Sequence, residues 1–397
     1  MVHAPVSMLF PPIDPNERFR SRRAAARRRK RLRRSAAVSA VLIGVALLGA
    51  GAQFVGTGST RPEVVVPADV SRASPSGPRA LPVEIRGVHV SVGLASLPGK
   101  LDEYLDLQRD GLTALELDVK DENGQVGFAR GIPLAARVGA ARDFYKPHAV
   151  ARLAHERGVY LIGRVVVFED PILSRARPDL AIRRAGGSVW TDSAGLGWTN
   201  PYDRRVWDYN VDVAVVAARA GFDEIMFDYV RFPSDGHVES AVYRNRGALT
   251  KREAVPEFLR YAARRLDRYD VRISAAVFGL AAARDLGIGQ LPKRMAPHVD
   301  TLYAMTYPSL FGPGELGLED PSTAPGETVS RALRKFAVTL RGSHVLVVPW
   351  VQDFTFTTPF ELEQVRAQID AARRAGAKGF MLWNAEGVYT DGALTPP

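Results

Sequence analysis

From Ile85 onward, short apolar runs alternate with longer amphipathic ones, a pattern that predicts strands separated by helices. Eight runs read as strands: Ile85–Val90, Ala114–Val119, Tyr160–Phe168, Glu224–Val230, Arg272–Phe278, Thr301–Thr306, Val345–Val351 and Gly379–Trp383. Helix-like segments fall between them at about 99–109, 147–157, 202–219, 254–268, 325–341 and 359–375. Gly111, Gly158, Gly221 and Gly376 each follow a helical segment and precede a strand, where a left-handed C-terminal cap is expected. Thr358, Pro359 and Glu361 mark the expected start of the last helix. Strands that alternate with helices imply a parallel sheet with right-handed crossovers, and eight such units predict an α/β fold, the (β/α)8 TIM barrel. A doubly wound open sheet is the competing arrangement, but no Gly-rich phosphate loop follows the first strand. The few residues after Trp383 leave room only for a short or absent final helix.

The segment Gly221–Pro233 holds the strongest chemical signal. Glu224, Met226 and Asp228 alternate onto one face of its strand, so Asp228 is expected to point inward near the C-terminal end. Pro233 then stops the ladder, because proline cannot donate to it. Asp223 and Glu224, at the other end, read as solvent or bottom-face charges.

Charge changes the picture only at the N-terminus. The net charge is +10, yet eleven Lys or Arg residues and no acid lie between Arg18 and Arg34. Without them the basic and acidic counts nearly match, so basicity gives no reason to expect a nucleic-acid partner. The uncharged stretch Ala36–Val55 follows directly and is about long enough to cross a bilayer as a helix. The expected organisation is a basic cytoplasmic tail at 1–34, a transmembrane signal-anchor at 35–56, a linker at 57–84 and the barrel domain at 85–397. The protein would then sit in the cytoplasmic membrane as a single-pass chain with its C-terminal domain outside. Ala50-Gly51-Ala52 resembles a cleavage site, which makes secretion after signal cleavage the alternative. There is no cysteine, so disulfides and thiolate metal sites are excluded.

In a barrel, side chains at the C-terminal strand ends converge on one cleft. The strand ends here offer His89 and Ser91; Glu116, Asp118, Lys120 and Asp121; Arg164, Glu169 and Asp170; and Asp228, Tyr229 and Arg231. The later strands add Tyr303 and Tyr307, then Trp350, Gln352 and Asp353, then Trp383, Asn384 and Glu386. Carboxylates with aromatic rings suit sugars: rings stack on pyranose faces, and two carboxyl groups carry acid–base chemistry. Several of these residues also have purely structural explanations. Asp118 and Asp121 can cap the turn through Gly124, Asp170 with Pro171 can start a helix, and Trp190, Trp198 and Trp207 can be core. His residues do not cluster by metal-site spacing, so neither metal nor cofactor is expected. A metal-dependent enzyme would need His89 or His237 to converge with Asp118 or Asp228.

Several ordered runs carry a family resemblance. They include Arg86-Gly87-Val88-His89, Leu117-Asp118-Val119-Lys120-Asp121, Arg164 to Pro171, Ala176 to Ala181, Trp198 to Tyr202, Val206 to Asn210, and the segment through Pro233. From about Arg86 to Glu386 the chain resembles the bacterial putative glycosyl hydrolase domain family, within the TIM-barrel glycosidase superfamily. The resemblance implies hydrolysis of an extracellular or cell-envelope polysaccharide. Chitinase-like barrels end strand 4 in a general-acid Glu, and Val230 stands at that position here. In α-amylase-like barrels Asp228 and Asp353 would match two of three acids, but Arg272–Phe278 supplies no third. On these grounds Asp228 is expected as nucleophile, base or stabiliser, with Glu169, Asp170 or Asp118 as the acid. His89, Arg164, Tyr229, Arg231, Tyr307, Trp350, Asp353, Trp383 and Glu386 are expected to contact the sugar. A non-catalytic glycan-binding or envelope scaffold barrel is the alternative.

Overall fold

The computed structural model describes residues 78–356 and 359–396. The basic tail, the 35–56 segment and residues 57–77 of the linker lie outside the described residues. Among the described residues, no helix is long and apolar enough to cross a membrane.

Eight parallel strands close into a barrel in sequence order: β1 (Ile85–Val90), β2 (Ala114–Lys120), β3 (Tyr160–Val166), β4 (Glu224–Asp228), β5 (Arg272–Phe278), β6 (Thr301–Met305), β7 (Leu346–Gln352) and β8 (Gly379–Trp383). β8 pairs back onto β1, with Gly87 opposite Met381. A Cβ on Gly87 would lie 2.1 Å from the Met381 sulfur, so glycine there makes room for the methionine. Helices Lys100–Asp106, Pro147–Glu156, Arg204–Arg219, Lys251–Leu266, Pro325–Thr339 and Leu362–Arg374 occupy the predicted crossovers. Gly111, Gly158, Gly221 and Gly376 all take the left-handed conformation that lets a helix end and the next strand begin.

Three departures from expectation have local causes. β4 stops at Asp228, before Val230, because Tyr229 turns left-handed at φ 49°. β2 runs on to Lys120 through an irregularity between Asp118 and Lys120, which breaks the in–out alternation. The last helix starts after Glu361, which forms a capping box with Gln364; Thr358 of the expected start lies outside the described residues. Between β5 and β6 the crossover is built from the short helix Pro292–Met295 and two 3-10 turns, Gly279–Ala282 and Ala296–His298.

Packing fixes the outside of the barrel. Phe258, on the Lys251–Leu266 helix, meets Phe168, Trp207 and Phe227 edge to face, with ring centroids 5.2–5.8 Å away. Trp190, Trp198 and Trp207 are fully buried, and each indole N–H donates to an acceptor: His237 O, Asp192 Oδ2 and Pro201 O. These three are core residues. Asp223 and Glu224 lie at the N-terminal end of β4 as expected, but the solvent reading fails, since both are buried. Asp223 accepts from Leu161 N–H at 2.8 Å and pairs with His155 at 3.0 Å, while Glu224 accepts from Tyr160 Oη at 3.1 Å.

Candidate active site

The site is built around one buried cation. Arg164 lies across the β2–β3 ladder from Asp118, so their inward side chains meet directly. Arg164 Nη1 donates to Asp118 Oδ1 at 2.6 Å, and Nε and Nη2 both reach Asp228 Oδ2, at 2.8 and 2.7 Å. Asp118 Oδ1 also meets His89 Nε2 at 3.0 Å. Burial works against a charge on Asp118, but Arg164 and His89 outweigh it and hold the carboxyl down at about 2. Arg164 is itself held well above its ordinary value: burial opposes its charge, and the surrounding carboxylates win.

Asp228 is held from both sides. While Arg164 binds Oδ2, Oδ1 accepts the N–H of the next residue, Tyr229, at 2.7 Å. That contact goes with the left-handed φ of 49° at Tyr229, a conformation costing a non-glycine residue about 1–3 kcal/mol. Strain of this kind, at a barrel's C-terminal edge and next to a carboxylate, marks a position set for geometry rather than for stability.

Two further carboxyls surround Arg164. Glu116 lies two residues deeper on β2, fully buried, with neither oxygen hydrogen-bonded and Arg164 Nε 3.6 Å away. Burial, with smaller contributions from Asp118 and Asp228, pushes its pKa well above the usual carboxylate range despite Arg164. Glu122 approaches from the loop after β2, with Oε2 3.7 Å from Arg164 Nη1 and its side chain 12% exposed. Its neighbour Asp121 is pushed up to about 7 by burial and by the charge of Glu122. Asp121 Oδ1 accepts from the N–H groups of Asn123 and Gln125, as the predicted turn requires.

An aromatic wall borders this cluster. Trp350 and Trp383 stack at 5.1 Å and 8°, and Tyr307 lies 6.4 Å from each at 23°. The His89 ring sits 4.5 Å from Trp383, and the Arg164 guanidinium 5.7 Å from it. Tyr307 Oη and Trp350 Nε1 are buried without hydrogen-bond partners. Thus His89, Asp118, Arg164, Asp228, Tyr307, Trp350 and Trp383 converge as the strand ends suggested. Tyr229 and Arg231 flank them on the β4 side, their ring and guanidinium 5.0 Å apart.

The other candidates sit differently. Asp170 has no exposure: it caps the helix Pro171–Ala176 through Leu173 N–H and pairs with the equally buried Lys120 at 2.8 Å. Lys120 also reaches Asn210 on the Arg204–Arg219 helix, so the β2 irregularity has turned this pair toward the outside of the barrel. Its geometry is that of a structural ion pair. Glu169 is buried in the loop after β3, where its backbone bridges to Trp198. Asp353 accepts from Thr390 N–H and Oγ1 at 2.9 and 2.5 Å, anchoring the chain after β8; burial raises its pKa. Glu386 is exposed at the rim, its N–H bonded to Asn384. His237 is exposed and pairs with Glu239, away from Asp118. Among the described residues, no group of three or more His, Asp or Glu side chains is arranged to hold a metal ion. Glu116 was among the strand-end residues, whereas Glu122 is the site neighbour that strand-end reasoning did not advance. The turn signature Asp121-Glu122-Asn123-Gly124 was the available signal for Glu122.

Comparison with known proteins agrees with this architecture. Residues 87–389 match the family model described as "Putative glycosyl hydrolase domain". The chain belongs to this family. Among solved structures, the glycoside hydrolase domain of PgaB (BpsB) from Bordetella bronchiseptica aligns with a TM-score of 0.57 at 14% identity, covering 77% of this chain and 95% of that one. The endo-1,4-β-D-mannanase of Thermotoga petrophila RKU-1 aligns at 0.51 and 14%, covering 78% and 93%. A hypothetical protein from Ruminiclostridium thermocellum ATCC 27405 shares 34% identity over 47% of this chain and 96% of its own, with a TM-score of 0.44. No curated protein matches the sequence. At such identities the first two likenesses establish the barrel, and the family membership establishes the glycosidase class.

Proposed function

We propose that this domain hydrolyses a polysaccharide by carboxylate acid–base catalysis at the barrel mouth. The supporting observation is that Asp118, Asp228 and Glu122 gather around the Arg164 guanidinium, at 2.6, 2.7 and 3.7 Å. Asp118 is held down at about 2, whereas Asp121 is pushed up to about 7 by burial and by the charge of Glu122. Divergent environments of this kind separate an acid from a base. Asp228, fixed by Arg164 and its own loop, is the nucleophile, base or stabiliser. The Asp121–Glu122 pair holds the proton for the leaving group, with Glu122 as the member that faces the cluster. This assignment moves the acid from Glu169, Asp170 or Asp118 to the loop after β2. The Trp350–Trp383–Tyr307 wall binds the sugar, and the Tyr307 hydroxyl and Trp350 N–H supply donors for its oxygens.

The direct test is a glycan panel incubated with the full-length protein, scored for new reducing ends. Binding without any cleavage would favour the non-catalytic alternative. Within the hydrolase reading, the acid must be protonated, so kcat/KM is expected to fall as pH rises through about 7. Glu122→Gln is expected to lower kcat about 100-fold and to move that limb to lower pH, because burial still raises Asp121 but the charge of Glu122 no longer adds to it. An unchanged pH profile in Glu122→Gln would refute the assignment.

We also infer that the substrate is outside the cytoplasmic membrane, with residues 35–56 as the anchor. The basic block before that apolar stretch supports this topology. Protease added to spheroplasts should remove the barrel but spare the tail; a fully protected chain would contradict it.

A further inference from the structure

A second arginine at the barrel mouth is buried without a counter-ion among the described residues. Arg231 follows Asp228 by three residues and is 2% exposed. Its guanidinium lies 4.9 Å from the Trp198 ring, 5.0 Å from Tyr229 and 5.1 Å from Phe278. Nη1 donates to Phe232 O at 3.2 Å and to Ser234 Oγ at 3.1 Å. Nη2 is buried and has no hydrogen-bond partner. Arg164 is paired with several carboxylates, whereas among the described residues no carboxylate lies within ion-pairing distance of Arg231. Burying an unpaired charge is costly, and the cation–π contacts of the cage offset that cost only in part. Such a group has unused capacity for an anion.

The cage also has a direction. Trp198 and Phe278 are buried, while Tyr229 is half-buried and so marks the solvent side of the cage. Tyr229 is the residue whose N–H holds Asp228 Oδ1, so the solvent side adjoins the proposed reaction centre.

We propose that Arg231 forms a subsite for an anionic substituent, carboxylate or sulfate, on a sugar next to the bond that is cleaved. Displacement of the half-buried Tyr229 ring uncovers the Nη2 amino group, which then donates to the anion while Trp198 and Phe278 hold the guanidinium plane. This rests on the hydrolase reading and adds a substrate class to it: acidic polysaccharide.

The test uses the full-length protein and three oligosaccharide sets of equal length: neutral, uronate-bearing and sulfated. Binding is read by calorimetry and cleavage by product release. One of the anionic sets is expected to bind about 10- to 100-fold more tightly than the neutral set, and the better one identifies the anion. Arg231→Met is expected to bring that ratio to about one, with Arg231→Lys keeping part of it. If the wild-type protein treats neutral and anionic sets alike, or Arg231→Met keeps the preference, the subsite is refuted. Should Arg231→Met fail to fold, the wild-type ratio and the Lys variant decide. Cleavage of neutral oligosaccharides without anion preference would remove the subsite and leave the hydrolase. Arg231-dependent anion binding without any cleavage would do the reverse.

Discussion

Asp228→Asn is expected to lower kcat/KM on the cleaved glycan by about a thousandfold or more while the barrel remains folded. The two halves of this expectation come from different contacts. Asn has nearly the shape of Asp, and its amide oxygen can still accept the Tyr229 N–H that fixes the loop. Arg164 keeps its 2.6 Å contact with Asp118, so removing one anion does not leave the buried cation uncompensated. The lost charge-assisted contact to Asp228 costs about 1–3 kcal/mol, which a domain of this size tolerates. Chemistry has no such redundancy, since an amide cannot act as base or nucleophile. Activity, thermal melting and glycan binding should be measured together. A variant that still cleaves at the wild-type rate would exclude Asp228 from the chemistry. A variant that no longer folds would instead show that the pair with Arg164 is structural.

The position of Asp228 was legible because it depends on local rules. Alternation along β4, a proline stop and the order of eight strands place its side chain inside the barrel at the C-terminal end. His89, Asp118, Arg164 and Trp383 follow by the same reasoning. The acid partner was harder to read, because strand-end proximity says nothing about which way a side chain turns once the ladder is irregular. The break after Asp118 sends Lys120 outward, and Asp170 goes with it into a structural pair. Glu122 was hidden for a related reason: the turn signature around Asn123 and Gly124 accounts for Asp121 without revealing that the turn brings Glu122 toward Arg164. Glu116 stood among the strand-end residues, but its complete burial between β1 and β3 shows only in the folded barrel.

Arg164→Met is expected to destabilise the barrel by about 3–5 kcal/mol at neutral pH, with a penalty that shrinks as pH falls. In the native protein, Asp118 has a folded pKa of about 2, below its ordinary value of 3.8. It therefore contributes stability above about pH 4, and that contribution is lost as pH drops through about 2. Without Arg164, burial becomes the dominant influence on Asp118 and raises its pKa above the unfolded value. The sign then reverses: the carboxyl destabilises the fold wherever the unfolded chain is ionised, and acid relieves it. Glu116, already raised by burial, loses the one opposing cation and moves the same way. Methionine fills much of the arginine stem's volume, so packing loss alone cannot imitate this pH dependence. Thermal melts of both proteins between about pH 5 and pH 8 should show the gap in Tm narrowing toward acid. A gap that stays constant would mean that Arg164 acts through its packing against Trp383 rather than by neutralising the carboxylates gathered around it.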